Sequence, residues 1–227
     1  MTPTNLVFNV AATPGGLLRF LHERRTLSLL PVLVAGTLPG VVAGAVIRVE
    51  LLSGATAFLV VAAGVLLPLG VWLLLGSQRL RREPPVMTGR VQGLIWLVAV
   101  VVGCAGGIYG VGGGSLLAPI LIGAGFSAYE VAPATLATTF VTSIAGIAAY
   151  EVLQASHGGA IAPDWVLGAW LGAGGFAGSY FGARLQRRMP ESSIRRLLGL
   201  IACLVALRYL QEAVQPSHRG QPVAVVS

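Results

Sequence analysis

Apolar residues run along this chain in long blocks, and charged residues fall between the blocks rather than inside them. No charged residue occurs from Leu51 to Ser77 or from Val91 to Tyr129. A bilayer core about 30 Å thick is crossed by roughly 20 apolar residues of helix, so each block can cross at least once. A membrane-spanning strand would need about 10 residues of alternating character, and runs such as Phe58 to Leu67 do not alternate. Helices satisfy their own backbone groups in lipid without that pairing. The pattern predicts an all-α fold, a polytopic transmembrane helical bundle. Its helical segments are expected at residues 3–18, 27–47, 51–76, 93–109, 115–124, 131–153, 163–185 and 194–213.

An internal repeat organises these segments. Gly36, Gly40 and Gly44-Ala45 form a GxxxGxxxGA ladder that returns at Gly174, Gly178 and Gly182-Ala183, at an offset of 138 residues. The same offset aligns Leu33 with Leu171, Ala35 with Ala173, Thr4 with Thr142 and Ala11 with Ala149. Glycine at every fourth position makes a smooth stripe on which another helix can pack closely. Two such ladders in register point to two internal repeats. The first repeat is read as residues 1–76, a cytoplasmic linker with Pro84-Pro85 as 77–92, the second repeat as 93–213 and a polar tail as 214–227. In this register the first repeat lacks a counterpart of Gly93 to Thr138, so it is expected to be incomplete. Two explanations stay open: a longer protein whose start is missing, or a half-repeat truly lost.

Composition narrows the class. Only 10% of residues are charged, against about 25% in soluble domains. The net charge of +7 comes from arginine, with no lysine. Most arginines lie in three clusters between apolar runs: Arg19/Arg24/Arg25, Arg79/Arg81/Arg82/Arg90 and Arg184/Arg187/Arg188/Arg195/Arg196. That is a positive-inside topology signal rather than a nucleic-acid-binding surface. If 93–109 enters the membrane and 115–124 returns, all three clusters face the cytoplasm. The connection around Glu151, His157 and Asp164 then faces outward, and the two repeats are inverted. The expected location is the cell inner membrane, multi-pass. Cys104 and Cys203 have no metal-ligand spacing, no cofactor motif is present, and no nucleophile–base pair suggests an enzyme.

The candidate chemistry lies between the two short segments, in Cys104-Ala-Gly-Gly-Ile-Tyr-Gly-Val-Gly-Gly-Gly-Ser115. Consecutive glycines break a helix, and broken backbone at membrane depth survives only inside protein or along a wet cavity. Ser115 is placed to cap the returning half-helix, whose first turn offers unpaired N–H groups and a positive dipole end. That combination suits an anion. A phosphate loop would need GxxxxGK[ST], and the chain has no lysine. Thr135, Thr138, Thr139 and Thr142 fall at helical spacing on one face, with Ser143 beside them. The candidate substrate-binding residues are therefore Gly110, Gly112, Gly113, Gly114, Ser115, Thr135, Thr138, Thr139, Thr142, Ser143 and, from the other half, Asn5 with Asn9 one turn on. Plainer readings stand beside this one. The glycines would then serve close packing, the threonines would bond back to their own helix, and the asparagines would pair helices.

The stretch Gly106-Gly-Ile-Tyr-Gly-Val-Gly-Gly-Gly-Ser-Leu-Leu-Ala-Pro119 resembles the signature of the TauE/SafE family of sulfite and organosulfonate exporters. Ala134-Thr-Leu-Ala-Thr-Thr-Phe-Val-Thr-Ser143 is similar to that family's Thr/Ser-rich helix, and Thr4-Asn-Leu-Val-Phe-Asn-Val-Ala-Ala12 resembles the equivalent helix of its first half. Family members carry a first copy of the glycine motif near the N-terminus, which is absent here. The resemblance implies a permease for small inorganic or organic sulfur anions, embedded in the lipid bilayer and compatible with a homo-oligomer. The alternatives are a transport-inactive fragment or partner subunit of such a transporter and, less favoured, an intramembrane enzyme.

Overall fold

A computed structural model of the chain describes residues 2–22, 27–50, 63–64, 67–68, 70–72, 74–75, 87–157, 163–186 and 188–214. Seven continuous helices are formed among them: α1 (Thr2–His22), α2 (Leu30–Glu50), α3 (Gly89–Tyr109), α4 (Gly113–Gly123), α5 (Ala128–His157), α6 (Trp165–Gln186) and α7 (Glu191–Val214). No strand occurs among the described residues, so the chain is all-α. Leu30–Glu50, Gly89–Tyr109, Ala128–Ala155 and Ser192–Val214 are long and apolar enough to cross a membrane. Helix α4 has 11 residues, about 16 Å of helix and half a bilayer core. Most of the expected segment 51–76 and most of the linker lie outside the described residues.

Helix α3 starts four residues before the expected boundary, inside the stretch read as linker. The reason is a cap. Thr88 is extended at φ −85° and ψ 159°, and its hydroxyl accepts from the Val91 amide at 3.5 Å. Its carbonyl also takes the Gln92 amide at 2.9 Å. The cap makes polar Gly89-Arg90 the first turn of the helix. Asp164 does the same for α6, its carboxylate accepting from the Leu167 amide at 2.9 Å.

Helices α2 and α3 run in the same direction at backbone contact. A methyl on Gly36 would stand 2.7 Å from the Ala99 Cβ, one on Gly40 2.8 Å from the Cys104 nitrogen and one on Gly44 3.0 Å from the Ile108 nitrogen. From the other side, Gly103 faces the Thr37 Cα at 2.7 Å and Gly107 the Val41 Cα at 2.9 Å. Glycines on both helices thus interlock, which lets the two axes approach closely.

Helices α1 and α6 also run together, with Gly168 against Val7 and Gly175 against Ala12 and Phe8. The Ser179 hydroxyl joins them, donating to the Ala12 carbonyl at 2.6 Å and accepting from the Gly16 amide at 2.9 Å. Successive helical residues turn by about 100°, so the Gly174/Gly178/Gly182 ladder points away from α1. A methyl at any of the three would meet nothing within 4 Å among the described residues. The repeated ladder is packed in α2 and open in α6.

Helix α5 crosses the centre, antiparallel to α1. Its residue Gly146 faces Leu6, while Leu136 faces Gly16. The Tyr129 hydroxyl donates to the Met189 carbonyl at 2.8 Å, and Gln186 Nε2 donates to the Ala128 carbonyl at 3.0 Å. These bonds tie the start of α5 to the end of α6. Arg19, Arg184 and Arg188 therefore share one end of the bundle, where Ile95 of the first turns of α3 also clusters with Leu29, Phe126 and Ala128. Glu50, Glu151 and Asp164 belong to the opposite end.

Candidate functional site

Helix α3 stops where Gly110 turns left-handed, at φ 68° and ψ 22°, and Gly112 follows at φ 73°. Positive φ is cheap only for glycine, so these two positions let the chain reverse inside the bundle. The reversal lies beside Thr139 and Ser143, midway along α5.

A reversal buried in protein must satisfy its carbonyls. The amides of Gly110 and Val111 both donate to the Gly106 carbonyl. The Gly107 carbonyl, left without its helical amide, accepts from the Tyr150 hydroxyl at 2.7 Å. The Gly110 carbonyl accepts from Asn9 Nδ2 at 3.2 Å. The Ser115 hydroxyl lies 2.9 Å from the Val111 carbonyl and 3.1 Å from that of Gly112 and shares its proton between them. Side chains of α1, α4 and α5 thus fill the acceptors of the turn.

The donors are treated differently. The Gly113 amide donates to Thr142 Oγ1 at 3.1 Å. Among the described residues no acceptor takes the Gly114 or Ser115 amide. These are first-turn amides of α4, where a helix carries its unpaired N–H groups and partial positive charge.

Of the residues singled out in the sequence, Gly110, Gly112, Gly113, Gly114, Thr135, Thr138, Thr139, Thr142 and Ser143 are all buried around this turn. A methyl on Gly112 would stand 2.7 Å from Thr139 Cγ2, and one on Gly113 2.8 Å from Thr37 Cβ, so the glycines also serve close packing. Ser115 is exposed, and it bonds back to the loop instead of capping; Gly112 occupies the N-cap with no side-chain cap bond. Asn5 is exposed on α1, and Asn9, one turn on, reaches the turn in its place.

The four threonines bond back to their own helix. Their hydroxyls donate to the carbonyls of Val131, Ala134, Thr135 and Thr138 at 2.7–2.9 Å. A hydroxyl carries one proton, so none of the four has a donor left for a solute. Ser143 differs. It is fully buried, and its Oγ has no hydrogen-bond partner. It stands 3.0 Å from where a methyl on Gly112 would be, at the N-cap of α4. An unmade buried hydrogen bond costs about 1–3 kcal/mol, so such a group calls for a reason.

Tyr150 and Thr37 were not singled out in the sequence. Both owe their place to packing between distant helices, which hydropathy does not report. Among the described residues no cluster of three metal-ligating side chains occurs.

Comparison with known proteins agrees with this architecture. The family model described as sulfite exporter TauE/SafE matches residues 1–209, from α1 into α7. A curated relative, the probable membrane transporter protein YunE of Bacillus subtilis (strain 168), is 27% identical over 118 residues. That match covers 52% of this chain and 41% of the relative, so the chain spans about two fifths of the length of the relative it matches. No solved structure matches. The matched region contains the whole glycine turn and every helix around it, and the chain belongs to the sulfite exporter TauE/SafE family.

Proposed function

We propose that the chain acts as a membrane permease for small anions, sulfite and organosulfonates among them, and that the anion is held at the glycine turn. One observation carries the reading: the turn's carbonyls are occupied by Tyr150, Asn9 and Ser115, while among the described residues the Gly114 and Ser115 amides and the Ser143 proton find no acceptor. A cation would need the carbonyls, and an anion needs the donors. Thr139, Ser143 and Asn9 pack against Gly112, while Ser115 at the same turn is exposed. The arginine distribution favours the inner membrane, with the Arg184 end in the cytoplasm.

Flux of sulfite and of methanesulfonate from proteoliposomes tests the reading. The wild type is expected to carry both, and Asn9→Ala, which releases the Gly110 carbonyl, to carry several-fold less. Equal flux in the variant would remove the turn as the site, and no flux by the wild type would remove transport.

A second reading makes the chain one part of a larger assembly, with a helix of another copy on α6. The open Gly174/Gly178/Gly182 ladder favours it, because the matching ladder in α2 is closed by α3. Disulfide crosslinking between Gly178→Cys copies in native membranes is the test, and monomers alone would count against it.

A further inference from the structure

We infer that Arg48 is a second binding residue for the anion and holds it beside the tip of the glycine turn, on the outer side; this rests on the glycine turn being the anion site. The place of Arg48 follows from how α2 lies on α3. A side chain on Gly36 would meet Trp96 and Val100, one on Gly40 would meet Val100 and Cys104, and one on Gly44 would meet Cys104 and Ile108. Each turn of α2 therefore climbs one turn of α3. One turn beyond Gly44, Arg48 comes level with Ile108 and Tyr109, where α3 ends and the chain reverses at Gly110.

Its direction follows from the helical wheel. At about 100° per residue, Arg48 falls about 20° from Thr37 and from Val41, both fully buried against α3. It falls about 180° from Pro39, which is exposed together with Ala35 and Val42. Arg48 is itself half-buried, and its charge acts on Tyr109 and Tyr150. The Tyr150 hydroxyl is the one that occupies the Gly107 carbonyl. The guanidinium thus belongs to the inner face of α2, beside the turn.

A charge on the inner face of a membrane span is costly and points to a function, and Arg48 lies within the apolar span Leu30–Glu50. Plainer roles do not account for it. Snorkelling would carry the side chain to the lipid interface, on the Pro39 side. A charge that only complements the C-terminal end of α2 could stand on any face. A topology signal would lie in the cytoplasm, whereas Arg48 shares its end of the bundle with Glu50, Glu151 and Asp164, opposite Arg19, Arg184 and Arg188. A guanidinium offers paired N–H donors to two oxygens of one anion. Thr37 touches Gly113, and Arg48 lies about 16 Å further along α2. Arg48 and the first-turn amides of α4 are therefore two successive stations, the outer one charged.

Methanesulfonate is the probe, in proteoliposomes holding the purified full chain. Arg48→Gln is expected to raise KM for its flux about tenfold or more, with maximal flux little changed. Arg48→Lys keeps the charge and loses the fork, so it is expected to recover part of that loss. An unchanged KM in Arg48→Gln would overturn the assignment, and a fall in maximal flux alone would mark a structural role and overturn it too. A second measurement needs no variant. Phenylglyoxal modifies arginine, and mass spectrometry of the wild type reads the modification residue by residue. Methanesulfonate is expected to slow the modification of Arg48 several-fold and to leave Arg188 unaffected. Normal wild-type flux with no protection of Arg48 would overturn this inference alone. Absence of flux through the wild type would overturn the transport reading beneath it.

Discussion

The Gly113 amide donates to the Thr142 hydroxyl at 3.1 Å, and Thr142 passes its own proton to the Thr138 carbonyl at 2.7 Å. The first turn of α4 is thereby anchored to the middle of α5 through one buried oxygen. Without it, the Gly113 amide would be a buried donor facing a methyl.

Thr142→Val keeps the shape of the side chain and removes that acceptor. A loss of about 1–3 kcal/mol in unfolding free energy is expected in mild detergent. Thr138→Val is the comparison, because the Thr138 hydroxyl donates only back to Ala134 of its own helix. It is expected to cost less than about 1 kcal/mol. Equal losses in the two variants would mean that volume, and not the inter-helix bond, decides stability here.

Tyr150→Phe tests the carbonyl accounting at the end of α3. The hydroxyl is buried and supplies the Gly107 carbonyl with a donor. The ring stays packed against Leu6 and Ala45, so the change isolates the bond. We expect a loss of about 1 kcal/mol, read from denaturant titration of the purified protein. An unchanged midpoint would show that the Gly107 carbonyl finds another donor.

The two glycine ladders should respond oppositely to the same substitution. A methyl on Gly40 would run into the α3 backbone at Cys104, whereas one on Gly178 meets open space. Gly40→Ala is expected to destabilise by about 1–3 kcal/mol through overpacking. Gly178→Ala is expected to be neutral or slightly stabilising, since alanine is the better helix former by about 1 kcal/mol. A stability loss at Gly178 matching that at Gly40 would reveal a partner on α6.

Topology gives a further check. With Cys104 and Cys203 replaced by alanine, single cysteines at the exposed Trp165 and Arg188 positions report the two ends of the bundle. The first is expected to react with an impermeant thiol reagent in intact cells, and the second only after permeabilisation. The reverse pattern would invert the orientation.

Much of this protein could be read from its one-dimensional pattern. Membrane insertion, helical class and the approximate boundaries of the described helices follow from hydropathy, because a bilayer punishes unpaired backbone everywhere and leaves helices as the answer. The sequence also located the broken segment, since Gly110 and Gly112 are residues for which positive φ costs little. Even the shared end of Arg19, Arg184 and Arg188 was legible, because charge at helix ends is written directly in the chain.

What the tertiary structure decided is which hydrogen each polar group keeps. Five hydroxyls in one stretch of α5 look equivalent in sequence, yet four are bonded back to their own helix and Ser143 alone among them has no partner. Asn9 and Asn5 are one turn apart, and the approach of α1 to the turn selects Asn9. Two identical ladders were one feature in sequence and became two surfaces, one closed by α3 and one open. Local propensity sets an element's existence, but a donor's fate depends on which helix arrives opposite it. That is settled only when all the helices pack.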